Sequence, residues 1–180
     1  MHEIKFTMLF NSFVFFLFLA VVLPIFYALK TKNSRNIFLL LVSYVFYGYW
    51  DWRFCSLLMV STVADYFIGL SMENTLNERK RKLLLYLSLT VNLGILGFFK
   101  YFNFFVESFE SAFSTFGFQA DFLHLNIILP VGISFYTFQT LSYSIDIYLR
   151  KIKPTKEFID FALFVSFFPQ LVAGPIERAK

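Results

Sequence analysis

A carboxylate in the middle of an apolar run is the first feature of this chain that demands a chemical reason. Asp65 stands inside "LLMVSTVADYFIGL", with Ser61, Thr62 and Gly69 three or four residues away, hence on its side of a helix. Placing a carboxylate in hydrocarbon costs roughly 2.5–3.5 kcal/mol, so Asp65 needs a partner, and Lys100, Arg178 or a group outside this chain are the candidates. A second concentration of polar groups lies in "LPVGISFYTFQTLSYSIDIYL". On a helical wheel Tyr136, Gln139, Thr140, Tyr143 and Asp146 fall within about 120° of arc, while Phe138, Leu141, Ile145 and Leu149 occupy the opposite side. A third lies where the apolar run 161–168 gives way to Pro169, Gln170, a Gly174-Pro175 break and the pair Glu177-Arg178. Two chemistries fit such groups: hydrogen-bonded glue between helices, or the polar lining of a wet path on which a substrate moves. For Asp65 the same choice stands between a packing residue, protonated or hydrogen-bonded, and a group on a substrate path.

Other chemistries have little to stand on. Cys55 is the only cysteine, which excludes a disulfide framework and a multi-cysteine metal site within the chain. His2 and His124 are too far apart to suggest a metal pair. No GxGxxG, P-loop, HExxH or GxSxG pattern occurs. The net charge of +4 sits in loops, and no basic module interleaved with aromatics points to nucleic acid.

The elements that must position the polar groups follow from composition. Of 180 residues, 58% are hydrophobic and 16% charged, and 28 are phenylalanine, too many to hide in one water-soluble core of this length. Continuous apolar runs between short charged clusters predict an all-α fold, a polytopic transmembrane helical bundle whose partner is the lipid bilayer. Six candidate segments cover 10–29, 37–50, 54–71, 83–102, 130–149 and 158–174. The first, lacking a small-x-small cleavage site, reads as a retained signal-anchor. The second is short for a span unless it runs on into the third through "GYWDWRF", where two tryptophans flank an Asp-Arg pair as at a membrane boundary. Pro130 suits the first turn of the fifth helix. The sixth segment is short and contains Pro169, so it either spans or re-enters as a broken helix. Residues 103–129 read either as an amphipathic helix in the interface or as an extension of the fourth segment.

Loop charge sets the orientation. The first loop carries Lys30, Lys32 and Arg35, the third Arg79 to Lys82 against Glu73 and Glu78, and the fifth Arg150, Lys151, Lys153 and Lys156 against Glu157. In the second loop Asp51 and Arg53 cancel, and the fourth is acidic, with Glu107, Glu110 and Asp121 against Lys100. Basic loops stay in the cytoplasm, so the N-terminus is expected outside.

Several long phrases carry a family resemblance: "MLFNSFVFF" from Met8, "VSYVFYGYWDWRF" at 42–54, "STVADYFIGL" at 61–70, "LGFFKYFNFF" at 96–105, "ILPVGISFYTFQTLSYSIDIY" at 128–148 and "FVSFFPQLVAGPIER" at 164–178. They resemble, in order and over nearly the whole chain, the N-terminal part of the membrane-bound O-acyltransferase family, in particular bacterial polysaccharide acetyltransferases of the alginate type. The resemblance implies Met8 as an alternative start and a helical bundle around a tunnel through the bacterial cytoplasmic membrane. It implies an acyl donor such as acetyl-CoA on the cytoplasmic side, a polysaccharide acceptor outside and an extracytoplasmic acetyltransferase partner. The family's essential histidines lie later, in Trp-His phrases, and no Trp-His occurs here. The chain is therefore expected to be the first third to half of such an enzyme, inactive without its missing C-terminal half. It supplies wall rather than base: Asp65, Tyr136, Gln139, Tyr143, Asp146, Gln170 and Arg178 are the candidate tunnel-lining or bundle-polar residues, with no catalytic, metal or cofactor-binding residue and no bound cofactor. The alternative is a small membrane scaffold or transporter-like bundle without enzymatic activity.

Overall fold

The structure, a computed structural model, describes residues 12–115, 130 and 132–174. All regular structure among the described residues is helical: α1 (Phe13–Ala28), α2 (Lys32–Glu73), α3 (Glu78–Thr115), α4 (Ile133–Tyr148), α5 (Phe158–Ser166) and α6 (Phe168–Ala173). Two of these, α2 and α3, are long and apolar enough to cross a membrane, and α1 and the α5–α6 stretch are shorter apolar helices. Ser12 and Thr31 cap α1 and α2, each side chain accepting from an amide three residues on. The outer faces stay greasy: Phe13, Val21, Tyr27, Val45, Phe67 and Phe104 are exposed. Such a surface suits lipid rather than water.

The 42 residues of α2 include one non-helical position, Asp51, with φ −160° and ψ 114°. A straight rod of that length would span about 60 Å, twice the hydrocarbon core. The chain instead reverses at Asp51, because both limbs meet the start of the same short helix. From the first limb Lys32 and Asn36 reach Asp160, each at 2.7 Å. From the second, Tyr66 donates to the Lys156 carbonyl at 2.6 Å and packs on Phe158 and Phe161. Cys55 lies 3.6 Å from the Tyr44 carbonyl across the bend. Asp51 holds the turn through Arg53, accepting from its backbone N–H at 3.0 Å and from Nη2 at 2.6 Å. The segments at 37–50 and 54–71 are thus two limbs of one bent helix, each long enough to span.

α3 runs without a break to Thr115, so residues 103–115 extend the fourth segment; the remainder of that stretch lies outside the described residues. Its first half supplies the inward residues Ser88, Asn92 and Leu96, whereas most of its last fifteen residues are exposed. α4 begins later than Pro130 predicts. Pro130 lies in the preceding turn, its carbonyl accepting from the Ile133 amide at 3.3 Å, and Gly132 takes the N-cap with φ +75°. A Cβ at Gly132 would sit 2.7 Å from the Leu171 carbonyl oxygen, so no larger residue fits this approach to α6. Gly69 plays a related part on the second limb of α2, where a Cβ would meet Ile147 at 3.1 Å and Tyr143 at 3.3 Å.

The core lies between the second limb of α2, the first half of α3, α4 and α5, with Leu58, Met72, Tyr136, Tyr143, Phe161 and Val165 at its centre. A smaller aromatic cluster fixes α1 on the first limb: Phe168 packs 5.6 Å from Phe18 and 5.2 Å from Phe46.

The reversal at Asp51 predicts sidedness. In the full-length protein with Cys55 replaced by Ser, cysteines at Asn33 and Leu76 should label from one side of the membrane and a cysteine at Trp52 from the other. Labelling of 33 and 76 from opposite sides would show that α2 does not turn back.

Candidate functional site

Asp65 is fully buried at the junction of three helices. From α3, Ser88 Oγ donates to its Oδ1 at 2.6 Å, and Asn92 Nδ2 reaches Oδ1 at 3.0 Å and Oδ2 at 2.8 Å. The Asn92 amide also donates to the Ser88 carbonyl, and its Oδ1 lies 3.0 Å from both Ser61 Oγ of α2 and Thr140 Oγ1 of α4. Ser144 Oγ of α4 stands 2.9 Å from Ser88 Oγ. Ser88 has one proton and gives it to the carboxylate, so the hydroxyl of Ser144 is the donor in that pair. The amide orientation of Asn92 is fixed by the arrangement: its nitrogen must face the acid and its oxygen the hydroxyls. Bonds of this kind are worth about 0.6 kcal/mol each in membrane bundles, so three to Asp65 offset most of the insertion cost of its carboxylate. The partners are neutral hydroxyl and amide groups; Lys100 instead stands over the Tyr101 ring. Arg178 lies outside the described residues.

A second polar arrangement repairs a broken helix. Pro169 has no N–H, and the chain leaves helical geometry at Phe167, between α5 and α6. The Phe164 carbonyl and Phe168 amide, four residues apart, would be hydrogen-bond partners in an unbroken helix. Here Gln139 Nε2 of α4 donates to the Phe164 carbonyl at 2.7 Å, and Ser43 Oγ of α2 accepts from the Phe168 amide at 3.2 Å. Two side chains from two other helices replace one lost backbone bond, which is how irregular backbone survives inside an apolar bundle.

The inward face read for α4 is real: Tyr136, Gln139, Thr140, Tyr143 and Asp146 are buried, and Phe138, Ile145 and Leu149 are exposed. Leu141 departs from that pattern, being only 6% exposed. Tyr143 Oη accepts from the Thr155 amide at 3.2 Å, tying α4 to the loop before α5. Asp146 pairs loosely with Lys151 at 3.9 Å. The hydroxyls of Tyr136 and Thr137 are buried without a hydrogen-bond partner among the described residues. Gln170, together with Asn36, Leu39, Asp160, Phe164 and Phe167, lines a groove of about 410 Å³. At its mouth Asp160 binds Lys32, and this hydrogen bond, reinforced by the carboxylate's charge, holds the Lys32 ammonium above its ordinary pKa. The structure therefore draws Asp65 and the α4 polar face into one interior, with Gln170 on a separate groove.

Ser88 and Asn92, the main partners of Asp65, escaped sequence reasoning. The signal was present as a Ser and an Asn four residues apart inside "LLLYLSLTVNLGIL", one turn apart on one face. Replacing Asn92 by Ala should lower the stability of the full-length protein by about 1–3 kcal/mol, since the acid and two hydroxyls lose their partner. At the helix break, Gln139→Met should cost as much as Gln139→Ala, because neither side chain can donate to the Phe164 carbonyl. Melting temperatures in detergent check both; an unchanged melting temperature in Gln139→Met would remove the repair argument.

Comparison with known proteins is one-sided. No family model and no solved structure matches the chain. Curated relatives match almost all of it. It is 45% identical over 175 residues to a probable alginate O-acetylase of Pseudomonas aeruginosa, an alignment covering 96% of this chain and 33% of that protein. The corresponding Pseudomonas putida protein is 42% identical, with 96% and 36% covered. A peptidoglycan O-acetyltransferase of Helicobacter pylori is 36% identical over 200 residues, with 95% and 37% covered. The chain thus spans about a third of the length of these relatives and corresponds to their N-terminal part. In its all-helical apolar build, its long phrases and this level of identity, the chain matches the N-terminal part of proteins named as alginate O-acetylases and as a peptidoglycan O-acetyltransferase.

Proposed function

We propose that this chain forms part of the wall of an O-acetyltransferase of the bacterial cytoplasmic membrane. In this reading the whole protein moves an acetyl group from a cytoplasmic thioester donor such as acetyl-CoA to a hydroxyl of a polysaccharide outside. The observation that carries it is the 45% identity over 96% of the chain to a protein named as an alginate O-acetylase. The alternation of basic and acidic loops supports the direction, with the N-terminus outside and the basic loops facing the donor. An extracytoplasmic acetyltransferase partner belongs to the same reading.

The chemistry is an acyl exchange. The acceptor hydroxyl attacks the thioester carbonyl, a C–O bond forms, the C–S bond breaks, and the hydroxyl proton passes through a base to the departing thiol. The described residues supply surroundings for this rather than the base. Asp65 is saturated by Ser88 and Asn92, and Gln139 is committed to the Phe164 carbonyl. The base is assigned to a histidine in the part of the protein beyond this chain. The unpartnered hydroxyls of Tyr136 and Thr137 are where a wet path would touch this wall.

Membranes holding the full-length protein and supplied with labelled acetyl-CoA should transfer label to polysaccharide. Loss of a general base costs about 10²–10⁴ in rate. Tyr136→Phe and Asp65→Asn should therefore each cost less than tenfold, while replacement of a histidine in a Trp-His phrase should cost at least a hundredfold. A hundredfold loss in Asp65→Asn with unchanged melting temperature would give this chain a chemical role and sink the wall reading. No transfer of label under any condition would sink the enzyme reading.

A further inference from the structure

The end of the bundle where the α2–α3 turn meets the loop after α4 holds a cavity of about 260 Å³ that acetyl transfer leaves unused. Three cations line it, Arg81, Arg150 and Lys153, against Glu73 in the lining and Glu78 beside Arg81 and Arg150. Arg81 is the deepest, its side chain 6% exposed. Its Nη1 donates to the Met72 carbonyl at 2.9 Å, and its Nη2 donates to those of Ile147 and Tyr148 at 3.1 and 2.9 Å. One guanidinium thus gathers carbonyls from the C-terminal ends of α2 and α4, where the helix dipoles favour a cation. Its Nε–H is left without a hydrogen-bond partner, and Glu78 Oε2, at 3.8 Å, is too far to serve. A buried charged donor without an acceptor is costly, and Arg81 lines this cavity.

Arg150 adds an independent observation. It is the sole non-glycine residue with positive φ among the described residues, at 58°. It follows α4 in a left-handed turn closed by its own amide on the Ile147 carbonyl and by the Lys151 amide on the Asp146 carbonyl, a position that glycine fills at no steric cost. An arginine held there at about 1–2 kcal/mol of backbone strain places a second guanidinium on the cavity, where it also binds Glu78. Lys153 lines the same cavity and forms no ion pair among the described residues.

We propose that this cavity binds a phosphate group. The Arg81 Nε–H, the Arg150 donors not engaged by Glu78 and the Lys153 ammonium around a space of this size match a tetrahedral anion with several acceptor oxygens. The source is either the headgroup of an anionic phospholipid or a soluble phosphate compound, and the site is independent of the transfer reaction.

The full-length protein in nanodiscs of phosphatidylcholine, alone or mixed with phosphatidylglycerol, separates the sources, with inorganic phosphate titrated into the neutral discs. The expected result is a rise in melting temperature with one or both. Lys153→Ala should weaken the binding about tenfold and Lys153→Arg restore it, with the melting temperature in neutral discs without phosphate unchanged by either substitution. Stabilisation by phosphatidylglycerol alone assigns the site to a lipid headgroup, and stabilisation by phosphate in neutral discs assigns it to a soluble ligand. No stabilisation by either, or equal stabilisation of wild type and Lys153→Ala, overturns the proposal.

Discussion

Hydrocarbon cannot hydrogen-bond, and every buried polar contact in this bundle answers that constraint. Asp65 is the severest case, and it is met by a hydroxyl and an amide of α3, which α4 in turn supports, rather than by an opposite charge. A neutral cage avoids desolvating a second ion, the larger part of the cost of a buried salt bridge. It also specifies geometry. Asn92 can satisfy the acid, two hydroxyls and its own helix only when α2, α3 and α4 sit in one mutual register. The network contributes modestly to stability, but a shifted arrangement of the same three helices would leave it incomplete.

The same constraint explains the break between α5 and α6. The chain leaves helical geometry at Phe167, ahead of Pro169, inside an apolar interior, and the Phe164 carbonyl and Phe168 amide freed there are met by Gln139 and Ser43. The break brings Phe168 against the aromatic cluster under α1 and brings Leu171 so close to Gly132 that a side chain there is excluded. A proline, a glutamine, a serine and a glycine, scattered over 130 residues of sequence, are thus one structural device. Arg81 performs a comparable service at the other side of the core, where helix ends expose carbonyls that one guanidinium collects.

In the proposed reading, where this chain walls an acetyl-transfer enzyme, rigidity has a use: reactants must be held in position while water is excluded, and interlocked polar contacts resist the small displacements that spoil alignment. The two hydroxyls without partners, at Tyr136 and Thr137, are adjacent on the helix whose other inward polar groups are largely committed.

Much of this was written in local sequence. Long apolar runs fix an all-helical bundle because no other open chain satisfies its backbone in lipid. The period of 3.6 residues places Tyr136, Gln139, Thr140, Tyr143 and Asp146 on one face, and lipid forces that face inward. Pro169 announces a broken segment through its missing N–H. What local sequence left open is whatever depends on residues far apart. The partner of Asp65 is chosen by which face of α3 packs against α2, 23 and 27 residues away, and not by which residues carry charge. The reversal at Asp51 is visible only because Asn36 reaches Asp160 of α5, 124 positions on, and Tyr66 reaches Lys156 just before α5, 90 positions on. Periodicity reports which side of a helix is greasy; only packing decides which neighbour that side meets, because the energy of a contact depends on two surfaces and a helix carries one.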